Sequence, residues 1–430
     1  MSHIGLVTPP YTGHVAPMVT LGRELQRRGH RASVISTPDV REEVLRGEVE
    51  FISVGAEDFP PGALKAFTDK QGKLTGTRAI RFIIKDMAKI AMMHSRELPD
   101  AVTRNGVDAL VVDQIQPIGA AVALRYDLPY VNICSLLPLN TELGIPPWTM
   151  YWPYEETNQA RVKNKIAYRV RYMLEMPITK AANPTRVKWG LPAVTADGSF
   201  SDLAQIVQIP EAFDFPRKEA PEVMHYTGPL HEYDGTDSVP FPWDELDGRP
   251  LIYATMGTLV NRKESVFRAF AEACVGINAQ LVISLGNRGA KIPTGFAGNP
   301  IVVDYAPQLE LLKRASLYIG PGGMNSLMHS LGSGVPMVLI PVTFDNPGVA
   351  ARAKYHGVGE YLPVNKLTAA RLRTKIETVL GNPAYRDNAA RIQDAIRGVD
   401  AVGRAADIVE QAFRTRRPVL RPTPDEAPGQ

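Results

Sequence analysis

Cysteine is nearly missing from this chain: Cys134 and Cys274 are its only two, far apart in sequence. That excludes a disulfide framework and makes a reducing compartment the expectation. Long apolar runs are missing as well, and none approaches the ~18–20 residues needed to span a bilayer. The opening His3-Ile4-Gly5-Leu6-Val7 has neither a charged leader nor a long apolar region, so no signal peptide is expected and the expected location is the cytoplasm. Neither sign of charge prevails, with 48 basic against 45 acidic residues and a net charge of +3. No basic stripe dominates, which argues against a nucleic-acid partner; segments such as Arg414-Thr415-Arg416-Arg417 account for the excess. The eight histidines do not pair with acids or cysteines at ligand spacing, so no metal site is expected.

What is present is a globular composition, 44% hydrophobic and 22% charged. At 430 residues the chain is too long for one ordinary core, so two domains are expected. Both read as repeated β-α units. The first opens with strand Ile4–Thr8, a helix pattern through Met18, Leu21 and Leu25 that stops at Gly29, and strand Ala32–Ile35. Strands Ala109–Asp113 and Tyr130–Ile133 flank a further helix pattern, Ile118–Tyr126. The second begins at Pro250–Thr258 and continues through a helix near Ser265–Val275. Strands Gln280–Ser284, Pro300–Val303, Leu317–Ile319 and Met337–Ile340 follow, with a helix at Ser326–Leu331. Strands alternating with helices at this spacing imply parallel sheets with helices on both faces: an α/β fold of two Rossmann-like, doubly wound domains facing across a cleft. The expected boundaries are residues 1–233, a turn-rich linker 234–242, residues 243–417 and a proline-rich disordered tail 418–430.

Several polar residues follow strands at the cleft-facing end. Gly13-His14 comes just after the first strand, and Asp113 closes the strand Ala109–Val112. A histidine there can take a proton from a hydroxyl, and an aspartate can orient it; the alternative is a capping histidine and a capping aspartate. Gly257-Thr258 makes a glycine turn with a hydroxyl that suits a phosphate or is mere turn chemistry. Tyr305-Ala306-Pro307-Gln308 offers an amide that can read a base edge, or starts a helix with Pro at N1. The densest signal is Ile319-Gly320-Pro321-Gly322-Gly323-Met324-Asn325-Ser326: a strand, a glycine turn and a helix start, the arrangement in which backbone N–H groups converge on an anion.

Together these phrases resemble the inverting UDP-dependent glycosyltransferases of GT-B architecture, and more narrowly the zeaxanthin glucosyltransferase-like bacterial enzymes. Also carrying the match are Leu137-Pro138-Leu139-Asn140, His225-Tyr226-Thr227-Gly228-Pro229 and Asn346-Pro347-Gly348-Val349-Ala350-Ala351-Arg352. The resemblance implies that His14 is the catalytic base and Asp113 its partner. It implies that Gly257, Thr258, Gly322, Gly323, Asn325 and Ser326 hold a diphosphate, while Ala306 and Gln308 face the nucleobase. A UDP- or dTDP-sugar would then be the co-substrate, with no permanently bound cofactor.

Three positions depart from the family pattern. Pro321 stands where a histidine usually bonds the diphosphate, removing the imidazole and a backbone N–H together. His329 replaces a glutamate that accepts from ribose hydroxyls, and Asp345-Asn346 replaces an acid–glutamine pair facing the sugar. Two readings follow: an inverting transfer of a sugar to a hydroxyl, or a degenerate donor site with sugar-independent acid/base chemistry on, or mere binding of, the former acceptor. The segment Ile145–Trp152 is apolar, aromatic and proline-stiffened, and points to an apolar acceptor such as an isoprenoid, polyketide or aromatic alcohol. Residues 161–174 form a basic amphipathic helix, either a membrane-surface element or a lid with a solvated face. Peripheral membrane contact and oligomeric state are left open by the sequence.

Overall fold

The computed structural model describes all residues except 73, 75, 196–198, 231–238, 258–262 and 423–430. Thr258 and most of the expected linker therefore lie outside the described residues.

Seven strands form the first sheet: β1 (His3–Val7), β2 (Arg31–Ser36), β3 (Glu50–Ser53), β4 (Ala109–Asp113), β5 (Tyr130–Cys134), β6 (Gln205–Val207) and β7 (Met224–Tyr226). Their order is β3-β2-β1-β4-β5-β6-β7, and every pairing is parallel. Six strands form the second: β8 (Leu251–Thr255), β9 (Gln280–Ser284), β10 (Ile301–Val303), β11 (Ala315–Gly320), β12 (Met337–Leu339) and β13 (Gly359–Tyr361). They run β10-β9-β8-β11-β12-β13, again all parallel. Helices cover both faces of each sheet, which is why β1, β4, β5 and β8 are buried at every position and read as unbroken apolar runs. The strand order reverses between β1 and β4 in one sheet and between β8 and β11 in the other. At such a switch point the chain diverges on either side and leaves a crevice beyond the strand ends. His14, Asp113, Gly257 and the 321–323 turn all sit at these two reversals.

The last helix departs from the expected domain boundary. Ala401–Thr415, assigned from sequence to the second unit, packs on the first domain. Ala405, Val409 and Ala412 share a core with Ile4, Leu6, Leu21 and Leu25. Arg28 ties it down with bonds to Glu410 at 2.7 Å and to the Gly403 carbonyl at 3.0 Å. The expected disordered tail is also corrected in its first residues. Val419 is buried, its N–H donates to the Leu203 carbonyl at 2.8 Å, and its own carbonyl bonds His225 Nε2. Val419 supplies the apolar anchor that the proline count of this stretch conceals.

The two domains meet along the helix Asn346–Tyr355. The Gly348 N–H donates to the Trp148 carbonyl at 2.9 Å, and a Cβ at Gly348 would fall 2.3 Å from that oxygen, so only glycine permits the approach. Tyr151 stacks on Tyr361 at 5.3 Å, and Tyr154 stacks on Phe215 at 5.6 Å with Tyr355 edge-on. Trp148 and Tyr151, from the aromatic segment expected on the acceptor side, thus meet the second domain at this boundary.

Candidate active site

Four adjacent strands of the first sheet, β1, β4, β5 and β6, each lead to a polar side chain at or beyond their carboxyl ends. His14 follows β1 in the helix Thr12–Arg27, and its Nδ1–H donates to Asp113 Oδ2 at 2.7 Å. Asp113, fully buried, also accepts at Oδ2 from the Ser135 hydroxyl at 2.8 Å and at Oδ1 from the Ile115 N–H at 3.1 Å. Behind them, Gln208 Nε2 donates to Ser135 Oγ at 3.3 Å. The result is a directed relay, Gln208 to Ser135 to Asp113 to His14. Four donors and acceptors in series hold the imidazole with its proton on Nδ1, which leaves the lone pair on Nε2. Nε2 has no protein partner among the described residues. A base of this form can accept a proton from a hydroxyl placed before it.

An aromatic cluster borders this base. Tyr11 packs edge-on to the His14 ring at 5.9 Å and against Phe67 at 5.6 Å, and Phe67 stacks on Phe82 at 5.1 Å. Phe344 joins the same cluster from the second domain. Its φ of 57° is a left-handed conformation that a bulky residue rarely adopts. That turn carries the Phe344 ring to the first domain and places Asp345 next in the chain. Tyr11 is fixed by a 3.0 Å bond from its hydroxyl to Asp86 Oδ2.

Asp345 is buried, and its Oδ2 has no hydrogen-bond partner among the described residues. Burial pushes its carboxyl up to about 6. Asn346 braces the glycine turn, donating to the Gly322 carbonyl at 3.3 Å and accepting from the Thr343 N–H at 3.4 Å.

The turn itself has Gly322 at φ 85°, and Gly323 is the N-cap of the helix Met324–Gly332 with no side chain capping it. A Cβ at Gly323 would meet nothing within 4 Å, so this backbone borders open space. Asn325 and Ser326 lie in the first turn of that helix, where N–H groups have no intrahelical acceptor. Gly257, at φ 65°, faces the same turn: Pro321 Cγ lies 3.9 Å from where its Cβ would be. Its N–H is taken by Thr255 Oγ1 at 3.1 Å. Ala306 is buried. Gln308 Nε2 donates to His329 Nδ1 at 2.8 Å, and its Oε1 accepts from Ser326 Oγ at 3.3 Å. Both ends of the amide expected to read a base are thus engaged by neighbours of the same pocket. Burial holds the His329 imidazole down to about 4, so it is neutral near pH 7 with its proton on Nε2.

Sequence reasoning located His14, Asp113 and the glycine turns but missed Ser135, Gln208, Tyr11 and Phe344. Ser135 and Gln208 were within reach of the same rule that found Asp113, since each immediately follows the end of a sheet strand.

A family model described as UDP-glucoronosyl and UDP-glucosyl transferase matches residues 6–415. The chain is 32% identical over 424 residues to the zeaxanthin glucosyltransferase of Pantoea ananas, covering 98% of each protein. Among solved structures it is similar to the glycotransferase of kitacinnamycin, with a TM-score of 0.72, 20% identity, and 96% and 99% of the two chains covered. A spinosyn rhamnosyltransferase complexed with thymidine diphosphate matches with a TM-score of 0.66 at 19% identity, over 96% and 99% of the two chains. With two facing Rossmann-like domains and a match running nearly end to end, this chain belongs to the UDP-glucuronosyl and UDP-glucosyl transferase family and is a glycosyltransferase.

Proposed function

We propose that the chain transfers a sugar from a UDP- or dTDP-sugar to a hydroxyl of an apolar small molecule, with inversion at the anomeric carbon. The observation that carries this reading is the 2.7 Å His14–Asp113 bond at the switch point, bordered by the aromatic cluster of Tyr11, Phe67, Phe82 and Phe344. His14 Nε2 takes the acceptor's proton as its oxygen attacks the anomeric carbon. The bond from that carbon to the diphosphate breaks, and the electron pair leaves with the diphosphate toward the helix start at Met324. Asp345 is suited to accept from a sugar hydroxyl, and Phe67, Phe82 and Phe344 to bury an apolar acceptor. The relative named for glucosylating zeaxanthin supports the same acceptor class.

A second reading, sugar-independent chemistry or binding at the former acceptor site, is favoured by Pro321 and by the Gln308–His329 bond that closes the base-reading amide. Calorimetric titration with UDP, dTDP, GDP and their glucose conjugates separates the two. Binding at micromolar to sub-millimolar strength, with transfer abolished in His14→Ala, upholds the transferase. Silence across the panel from folded protein overturns it in favour of the second reading.

A further inference from the structure

The helix Asn158–Lys188 carries more than its share of exposed apolar surface. Of the eighteen large apolar side chains exposed among the described residues, seven belong to this one helix. Val162, Ile166, Val170 and Met173 are spaced three and four residues apart, so they form one stripe along the outer face, and Met173 is 68% exposed. Beside the stripe lies an open apolar groove of about 660 Å³, lined by Met150, Trp152, Ile166 and Val170, with Lys163 Nζ 3.9 Å above the Trp152 ring.

The charge on this helix is one-sided. It holds eight Lys and Arg and a single acid, Glu175, which pairs inward with the buried Arg171 at 3.5 Å. Lys165, Arg169 and Lys180 are exposed alongside the apolar stripe. Over the whole chain the net charge is only +3, so the positive charge is concentrated where the apolar surface is. Apolar side chains between basic ones suit a surface that is negative outside and hydrocarbon within. No helix of the described residues is long and apolar enough to cross a membrane.

We propose that the outer face of Asn158–Lys188 docks the protein on an anionic lipid bilayer. The stripe and the groove seat in the headgroup boundary, and Lys165, Arg169 and Lys180 contact lipid phosphates. The test is co-sedimentation of the full chain with phosphatidylcholine vesicles, with and without phosphatidylglycerol. It needs no sugar donor, so its outcome is independent of the transfer reaction. The wild type is expected to sediment with the anionic vesicles, to stay in solution with the neutral ones, and to be released by high salt. The double variant Lys165→Ser/Arg169→Ser should bind about 25-fold more weakly, at roughly fivefold per basic side chain. Ile166→Ser/Val170→Ser should weaken binding at least tenfold with an unchanged urea midpoint. Equal partition of the wild type with both vesicle types, or wild-type binding by both double variants, overturns the proposal. So does an Ile166→Ser/Val170→Ser variant that turns a wild-type dimer into a monomer, because a second copy then covers this face.

Discussion

Asp214 and Arg352 form a 2.7 Å ion pair across the domain boundary, with each side chain only 1% exposed. Arg217 Nε and the Tyr226 hydroxyl bond the other Asp214 oxygen at 2.8 and 2.7 Å, and the His356 ring bonds the Asp214 carbonyl. Burial alone would raise the Asp214 carboxyl, but the Arg217 and Arg352 guanidiniums hold it well below the usual carboxylate range. Arg352→Met should cost about 3 kcal/mol, because a buried charge loses one of its two cationic partners. A fall in the urea midpoint checks this. Arg352→Lys should recover only part of the loss, since ammonium cannot match the planar contact of the guanidinium on Phe215 at 4.3 Å.

His14→Ala should lower turnover by about 10²- to 10⁴-fold, the range of general-base catalysis. Ser135→Ala tests the relay behind it. Removing a hydroxyl that donates to a buried carboxylate costs about 1.5–3 kcal/mol. If Ser135 positions the Asp113–His14 pair, kcat falls by tenfold or more while the KM for the acceptor stays unchanged. A loss confined to thermal stability would make Ser135 a purely structural residue.

His329 and Asp345, both shifted by burial, move in opposite directions over one pH window. His329 has an ordinary value of 6.5 and a folded value of about 4, so stability is lost as pH falls from 6.5 to 4, where only the unfolded chain takes the proton. Asp345 rises from 3.8 to about 6, so stability is gained as pH falls from 6 to 4, where the folded chain takes the proton first. The two contributions offset in the wild type. His329→Gln should therefore gain stability between pH 7.5 and 4.5 relative to wild type, and Asp345→Asn should lose it, as read from urea midpoints at both values.

Pro321→His restores an imidazole and a backbone N–H beside Gly257. If the turn holds a diphosphate, nucleotide binding should tighten by roughly 10- to 150-fold, the worth of one charge-assisted hydrogen bond. Calorimetry with the same nucleotides reads the change, and unchanged affinity would remove the turn from the donor site.

The readable parts of this molecule are those encoded locally. An apolar run ending in a polar residue, as at Val112-Asp113, states both the strand and the cleft-facing atom. Strands β6 (Gln205-Ile206-Val207) and β7 (Met224-His225-Tyr226) are three residues each and include a polar one, so no apolar run marks them, whereas the equally short β10 (Ile301-Val302-Val303) and β12 (Met337-Val338-Leu339) are apolar throughout. The cluster of Tyr11, Phe67, Phe82 and Phe344 is assembled by topology from four distant segments, so no periodicity announces it. Trp148 and Tyr151 advertise burial but not the surface that buries them, and the sequence reading assigned them to the acceptor side. Likewise, the amphipathic pattern of Ala401–Thr415 demands a sheet to cover without naming which of the two.

That last helix has a consequence for synthesis. Because Ala405, Val409 and Ala412 complete a core begun by Ile4 and Leu6, the first domain to leave the ribosome cannot close until almost the entire chain has followed it. One flank of its sheet stays uncovered while the second domain is being made, and the segment that seals it arrives last. Nascent chains halted before residue 401 should thus be the form most dependent on chaperones.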